Sequence, residues 1–236
     1  MCGRFVSPEE AEIERSWHVG REGGNPLARS YNTSPTANIP ILRAAGGKME
    51  IATARWGLVP AWWKNPAPPT FSFNARLEEA ADKPMWRHLL RHSRCAVPAA
   101  GWYEWQALAR EDPKTRKLKP YKQPHYMRRR DGALFCFAGL ISSWTTPEQD
   151  APVLSCAILT TAAAGPVAEV HDRMPVVLDD AALAEWLDPV RTEAAEVADT
   201  LRRFSLSAEF IHFTVGIAVN NSRSEGAQLI ERIPKC

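Results

Sequence analysis

Short runs of alternating apolar and polar residues, punctuated by proline and glycine, dominate the chain. Only a few stretches carry the three-to-four-residue apolar spacing of a helix. Ser7-Pro8-Glu9-Glu10 has the Ser-x-x-Glu spacing of a capping box with proline at the first helical position. It predicts a helix running to about Trp17. Residues 19–30 are Gly-rich and read as loop, and strands are expected near 39–43 and 49–56. Pro60, Pro66, Pro68 and Pro69 mark an irregular surface loop over 60–70. From Leu77 to His92, apolar residues recur at Leu77, Ala80, Ala81, Met85, Leu89 and Leu90. That is a helical face which Pro84 should divide in two.

Further strands are expected at 94–98, 101–106, 124–129, 133–141, 153–160 and 174–178. Helices follow at about 180–187 and 190–204, then a last strand near 209–219. Strand and helix runs interleave without a β-α-β rhythm. This predicts a single α+β domain built on a curled, mostly antiparallel, barrel-like sheet flanked by helices, rather than a doubly wound fold. No Gly-x-Gly-x-x-Gly or P-loop opens a helix, which argues against a nucleotide cofactor.

The apolar, aromatic and charged fractions are those of an ordinary globular chain, and 236 residues supply ample core. No apolar run reaches the about 18 residues of a membrane span, and no apolar h-region follows Met1, so a cytoplasmic protein without a membrane partner is expected. Cys2, Cys95, Cys136, Cys156 and Cys236 form an odd set with no Cys-x-x-Cys spacing. That argues against a disulfide framework or a zinc site, and Cys136 and Cys156 sit in apolar, core-like runs. Charge is uneven. Between Arg110 and Arg130, nine Lys or Arg residues face only Glu111 and Asp112, a net of +7 in a chain whose total is +2. Such a segment, read as a basic hairpin over about 107–124, suits either a phosphate backbone or a solvated tip.

Four segments hold polar residues that a core does not require. Cys2 follows the initiator methionine, and removal of Met1 would leave an α-amine beside a thiol. The amine titrates near ~7.7–8.0 and the thiol near ~8.5, so both nucleophiles are partly available at neutral pH. A 1,2-aminothiol condenses with an aldehyde, first to a Schiff base and then to a thiazolidine. Cys2 as a small apolar strand residue is the plain alternative. Asn74 and Arg76 directly precede a helix, where the amide can orient an amine or carbonyl and the guanidinium can grip a phosphate; a helix cap and a surface ion pair are the simpler readings. Glu104 sits among Trp102, Tyr103 and Trp105, and sharing the face of Trp102 would bury it and raise its pKa into the range of a proton shuttle. His171, followed by Asp172 and Arg173, is an acid–base candidate near neutral pH; a structural histidine beside a local Asp172–Arg173 ion pair is the plain alternative.

These segments resemble the SRAP family (SOS-response-associated peptidase domain), whose bacterial and eukaryotic members shield abasic sites. The matching text is CGRF at 2–5, YNTSPT at 31–36, WGLVPAWWK at 56–64 and FNAR at 73–76. It continues with RCAVPAAGWYEW at 94–105, FAGLISSW at 137–144, ILTTAA at 158–163, HDRMPVVL at 171–178 and, more weakly, AVNNSRSEGAQLI at 218–230. The resemblance spans essentially the whole chain, residues 2–230. It implies a shield for abasic sites in single-stranded DNA that forms a reversible thiazolidine crosslink through Cys2, a lyase-like chemistry at C1′. It implies no metal or organic cofactor, and a monomer acting at the bacterial nucleoid. By motif match, Asn74 would position the Cys2 amine, Glu104 would handle protons, and His171 would open the deoxyribose ring and assist reversal. Arg4 and Arg76 would hold phosphates, Thr160 would lie at the adduct, and Trp63 would stack on a base while Trp62 packs inward.

The chain departs from the family at Leu77-Glu78-Glu79, where Ala-Glu-Thr is common, and at Ala100, usually Asp. Pro84 stands where some relatives carry a phosphate-gripping Arg, with Arg87 and Lys83 as the candidate substitutes. Two other functions stay open on the sequence. One is a self-processing cysteine peptidase using Cys2 with Glu104 or His171 as base. The other is a non-covalent single-strand or junction binder in which Cys2 is incidental.

Overall fold

The computed structural model describes residues 2–21, 25–65, 68–70, 72–112, 114–145, 151–193, 196, 197, 199, 201 and 210–234. In chain order the elements are β1 (Phe5–Ser7), α1 (Glu10–Trp17), β2 (Ser30–Thr33), β3 (Asn38–Ala45), β4 (Lys48–Trp56), β5 (Asn74–Arg76), α2 (Leu77–Ala80), α3 (Arg87–His92) and β6 (Arg94–Ala99). Then come β7 (Gly101–Glu111), β8 (Leu118–Arg129), β9 (Phe135–Trp144), β10 (Val153–Ala162), β11 (Arg173–Pro175), β12 (Val177–Leu178), α4 (Asp180–Leu187) and β13 (Phe210–Thr214). Three 3-10 turns, Gly165–Glu169, Ile217–Asn220 and Ala227–Ile230, complete the set.

Two sheets share the strands. One runs β13-β8-β7-β1-β2. In the other, β10, β4, β3, β6 and β9 follow one another and β9 pairs back onto β10, so these five strands close into a ring. The ring is uneven: β3 meets β6 at Leu42 and Ala96, whereas β6 and β9 pair along six positions from Arg94↔Leu140 to Ala99↔Phe135. Most pairings are antiparallel; β10 runs parallel to β4 and to β5. The expected α+β fold with a curled, mostly antiparallel sheet is the one observed.

The ring wraps an aromatic core in which Phe5, Trp56, Trp102 and Phe137 are wholly buried. Their rings meet edge-to-face, with Phe5–Trp56 centroids 5.2 Å apart and Trp102–Phe210 at 5.0 Å, the arrangement that ring quadrupoles favour. Cys95 and Cys156 lie in this core and Cys136 in the neighbouring one under α4, as their apolar surroundings predict. Burial pushes the Cys156 thiol up to about 12, so it stays protonated and inert.

Local deviations have physical causes. Ser7 does not cap α1; it is the last residue of β1 with a buried Oγ, and Glu9 is the N-cap. The Glu10 carboxylate is drawn instead to Arg21, accepting from Nη2 at 2.8 Å, and to the Leu27 N–H at 3.0 Å. A charged fork outcompetes the capping-box geometry. The helical face from Leu77 does break around Pro84, into α2 and α3. Asp179 caps α4 by accepting from the Ala182 N–H at 2.8 Å. The arms of the basic hairpin, β7 and β8, are longer than their alternation suggested, and β13 is shorter. Of the helix expected at 190–204, residues 190–193 are turn or irregular, residues 196, 197, 199 and 201 are helical, and the others lie outside the described residues.

Candidate active site

Strand pairing assembles the site. Phe5 pairs with Trp102, and the Tyr103 N–H donates to the Arg4 carbonyl at 2.9 Å, so the N-terminal segment runs along β7. Strand alternation puts Trp102 and Glu104 on the face of the ring core and turns Tyr103 toward Val6, Val215 and Val219. Gly101 lets β7 come this close to β8: a Cβ there would lie 2.4 Å from the Met127 carbonyl and 2.4 Å from the Tyr126 hydroxyl. The parallel β5–β10 pairing sets Asn74 beside Ile158 and Arg76 beside Thr160.

Cys2, Asn74, Glu104 and His171 come together. Cys2 is wholly buried, and its carbonyl accepts from Asn74 Nδ2 at 2.7 Å. Asn74 Oδ1 is buried and accepts no hydrogen bond among the described residues. Burial, reinforced by the Glu104 charge, pushes the Cys2 thiol well above its ordinary range. Glu104 is 2% exposed, and burial holds its carboxyl up at about 7. His171 Nε2 lies 3.9 Å from Glu104 Oε2, and burial lowers the imidazole's pKa. Two contacts compete for its other nitrogen. The Arg173 N–H at 3.0 Å requires an unprotonated Nδ1, whereas Asp172 Oδ1 at 2.7 Å favours a protonated one, so the pair marks a ring that can hold or release a proton there.

The expected DNA-contacting residues are placed less uniformly. Arg4 Nη1 is committed to Asn32 Oδ1 at 2.8 Å and the Val219 carbonyl at 2.9 Å, with its guanidinium 6.0 Å from the Trp105 ring. Arg76 is exposed and shares Glu79 with Lys83. Thr160 is fully buried, its Oγ1 donating to the Ala75 carbonyl at 3.5 Å, so it backs Arg76 from inside the sheet. The tryptophan pair departs from expectation at Trp62. Trp62, expected to pack inward, is 62% exposed, while Trp63 is half-buried and its carbonyl accepts from Trp144 Nε1 at 2.8 Å.

Sequence reasoning missed two features. Arg173 does not pair with Asp172. It donates bidentately to Glu78 at 2.8 and 2.8 Å and to the Thr160 carbonyl at 2.8 Å, holding the Glu78 carboxyl down at about 2 and tying the His171 loop to α2. His125, directly across from Glu104 on β8, is 4% exposed. The alternation of β8 was the available signal for His125. Among the described residues no cluster has the makings of a metal site. No helix among them is long and apolar enough to cross a membrane.

A ring-shaped α+β domain with its N-terminal cysteine set in a polar cluster is thus the class defined by the fold and site. The sequence profile of the SOS response associated peptidase (SRAP) family matches residues 1–222, and the chain belongs to that family. The abasic site processing protein YoqW of Bacillus subtilis (strain 168) is 34% identical over 235 residues, covering 98% of this chain and 99% of YoqW. YedK of Escherichia coli (strain K12), also named an abasic site processing protein, is 31% identical over 244 residues, covering 99% of this chain and 100% of YedK. A solved structure from Bacteroides thetaiotaomicron shares the fold with a TM-score of 0.79 at 20% identity, over 99% of this chain and 100% of that one.

Proposed function

We propose that this chain processes abasic sites in single-stranded DNA by capturing the ring-opened aldehyde as a reversible thiazolidine on Cys2, once Met1 has been removed. The observation that carries the reading is Glu104, a carboxyl buried beside Cys2, 3.9 Å from His171 and poised at about pH 7. The relatives YoqW and YedK, both named abasic site processing proteins, support abasic-site processing.

The chemistry runs in balanced steps. His171 assists opening of the deoxyribose hemiacetal, moving a proton from the C1′ hydroxyl toward the ring oxygen. The Cys2 amine, oriented through the Asn74 bond to its carbonyl, adds to C1′. Protonated Glu104 gives its proton to the departing hydroxyl, which leaves as water and yields the Schiff base. The thiol sulfur then adds to the imine carbon. The nitrogen keeps its proton as an iminium, so as the ring closes the Glu104 carboxylate takes only the S–H proton and ends protonated as it began. The sum is aldehyde plus aminothiol giving thiazolidine plus one water. Strand scission at an abasic site needs the free aldehyde for β-elimination, so the ring protects the strand. Arg4 and Arg76 hold flanking phosphates, Thr160 braces the adduct wall, and Trp63, or the more exposed Trp62, stacks on a neighbouring base.

A thiolate-first peptidase is disfavoured by the Cys2 thiol itself. Cysteine nucleophiles are activated by lowered pKa values, and burial here raises this one. The test is a denaturing gel after mixing with single-stranded DNA bearing a natural abasic site or its tetrahydrofuran analogue. A heat-stable shifted band with the natural site alone, absent for Cys2→Ala, is expected. Equal protection of both strands by the Cys2→Ala variant would move the reading to the non-covalent binder.

A further inference from the structure

The outer part of the β7–β8 hairpin carries a row of cross-strand pairs that the crosslinking chemistry does not use. Residues two apart on a strand share a face, so Glu104–His125, Gln106–Gln123, Leu108–Tyr121 and Arg110–Lys119 follow one another on one face of the ladder. Burial agrees: Gln106 and Leu108 are half-buried, whereas Ala107 and Ala109 on the other face are exposed. Leu108 and Tyr121 stand about 14 Å along the ladder from Glu104, a span of a few nucleotides at ~3.4 Å or more per phosphate. On this face lies a cavity of about 310 Å³, at the lower end of the ~300–1,000 Å³ of small-ligand sites. Gln106, Leu108, Tyr121 and Gln123 line it from the hairpin, and Glu169 and Ile233 line it from flanking segments.

This lining suits a base better than a phosphate. Tyr121 is 39% exposed and the Arg110 guanidinium lies 5.7 Å over its ring, so the opposite ring face is the one for stacking. Gln106 Nε2 donates to the Glu169 carbonyl at 2.9 Å. Gln123 Nε2 donates to the Pro124 and Val215 carbonyls at 3.0 and 3.1 Å. All three partners are acceptors, so each amide is fixed with its nitrogen bonded and its Oε1 as the acceptor it offers. The Glu169 carboxylate, 3.4 Å from His212 Nε2, adds two more acceptor oxygens. No Lys or Arg is among the described residues of this lining.

We propose that this cavity receives one unpaired nucleobase of the strand flanking the abasic site, stacked on Tyr121 and read through its exocyclic amine. The inference rests on the single-stranded abasic substrate of the function above. Adenine, cytosine and guanine each present an amine that donates to the Gln106, Gln123 or Glu169 oxygens. Thymine has a ring N–H but no amine, and it sets two carbonyl oxygens against the same acceptors. The hairpin lysines attract phosphates through a contribution that salt weakens, whereas stacking on Tyr121 holds the strand in register with Cys2 through one that salt leaves alone.

The test is fluorescence anisotropy of the full chain with labelled single strands that carry tetrahydrofuran at the lesion, so that no adduct forms. The nucleotides on either side of the lesion are varied one at a time. At one position the wild type should bind adenine, cytosine or guanine about fivefold more tightly than thymine, and a second tetrahydrofuran there should weaken binding roughly tenfold. Tyr121→Ala should lose the same factor on the unmodified strand, keep the salt slope and no longer respond to the second tetrahydrofuran. Tyr121→Phe should behave as wild type. Equal binding of all four bases at every position overturns the base site, and that series needs no variant. So does a Tyr121→Ala chain that melts like wild type yet loses as much as wild type when the base is removed. Adduct formation with a natural abasic strand is measured separately on the same protein. Base preference without an adduct sinks the crosslinking function alone, and an adduct without base preference sinks the base site alone.

Discussion

Glu104 sets the chemistry at the residue scale. Its carboxyl, raised from 4.5 to about 7, is a proton donor below neutrality and a base above it. Adduct formation under conditions where water loss limits the rate should therefore decline as pH rises through about 7, and Glu104→Gln should suppress it throughout; single-turnover rates from pH 5 to 9 test both statements. The same shift has a stability consequence of definite sign. Because the folded-state value lies above the unfolded one, the carboxyl costs nothing below about 4.5. Its penalty grows between about 4.5 and about 7 and is complete above that. Glu104→Gln should thus be more stable than wild type by ~1–3 kcal/mol at pH 8 and no more stable at pH 4, as read by denaturant melts. Cys2→Ser keeps the amine but forms a far less stable ring, so its adduct should be lost on heating while the wild-type adduct persists.

Much of this site was legible because its chemistry sits in local text: Cys2, Asn74, Glu104 and His171 each stand out against an apolar background. The Glu78–Arg173 fork was not legible, because its partners are 95 positions apart and Asp172 offered a nearer, plausible mate. The tryptophan pair shows the same limit. Adjacent indoles look equivalent in sequence, and nothing in the local text says that Trp62 is the one left 62% exposed.

Elements carry the next level of control. The β1–β7 pairing positions the N-terminus, and the β7–β8 approach that supports it depends on Gly101. Gly101→Ala should cost ~1–3 kcal/mol, since the new methyl meets backbone at 2.4 Å, and should lower the thermal midpoint along with adduct yield. The hairpin of β7 and β8 carries the basic segment. Within it Arg116 pairs with Glu111, Lys119 pairs with Asp112, and Arg110 lies 5.7 Å over the Tyr121 ring. Lys114, Lys117 and Lys122 are the cations through which the hairpin would follow a phosphate backbone. Replacing all three by Gln should reduce the salt slope of single-strand binding by about 2, at ~0.7 per phosphate contact, and leave the adduct chemistry intact. An unchanged slope would assign the hairpin to solvation. The alternation in β7 and β8 announced a hairpin; the Pro and Lys content of its tip hid how far the ladder extends, from Trp102 to Glu111 against Leu118 to Met127.

For the whole molecule, the fold class followed from the interleaved strands and helices. Closure of the ring did not, because β10 takes partners from β4, β5, β9 and β11, which lie in widely separated parts of the chain. Its aromatic centre is the price of that closure, and Phe137, which packs on Phe5, Trp102 and Phe135, is its hub. The β1–β7 pairing places Cys2 and Glu104, and β5 on the ring strand β10 places Asn74, so the integrity of both sheets and the reactivity of the N-terminus should rise and fall together.

The most direct measurement is the intact mass of the protein after incubation with single-stranded DNA carrying a natural abasic site, with a tetrahydrofuran strand as control. The account predicts one heat-stable species at the mass of the des-Met protein plus DNA minus one water, with the natural site only. Protein that has lost Met1 and still returns unmodified from the natural abasic strand would contradict it.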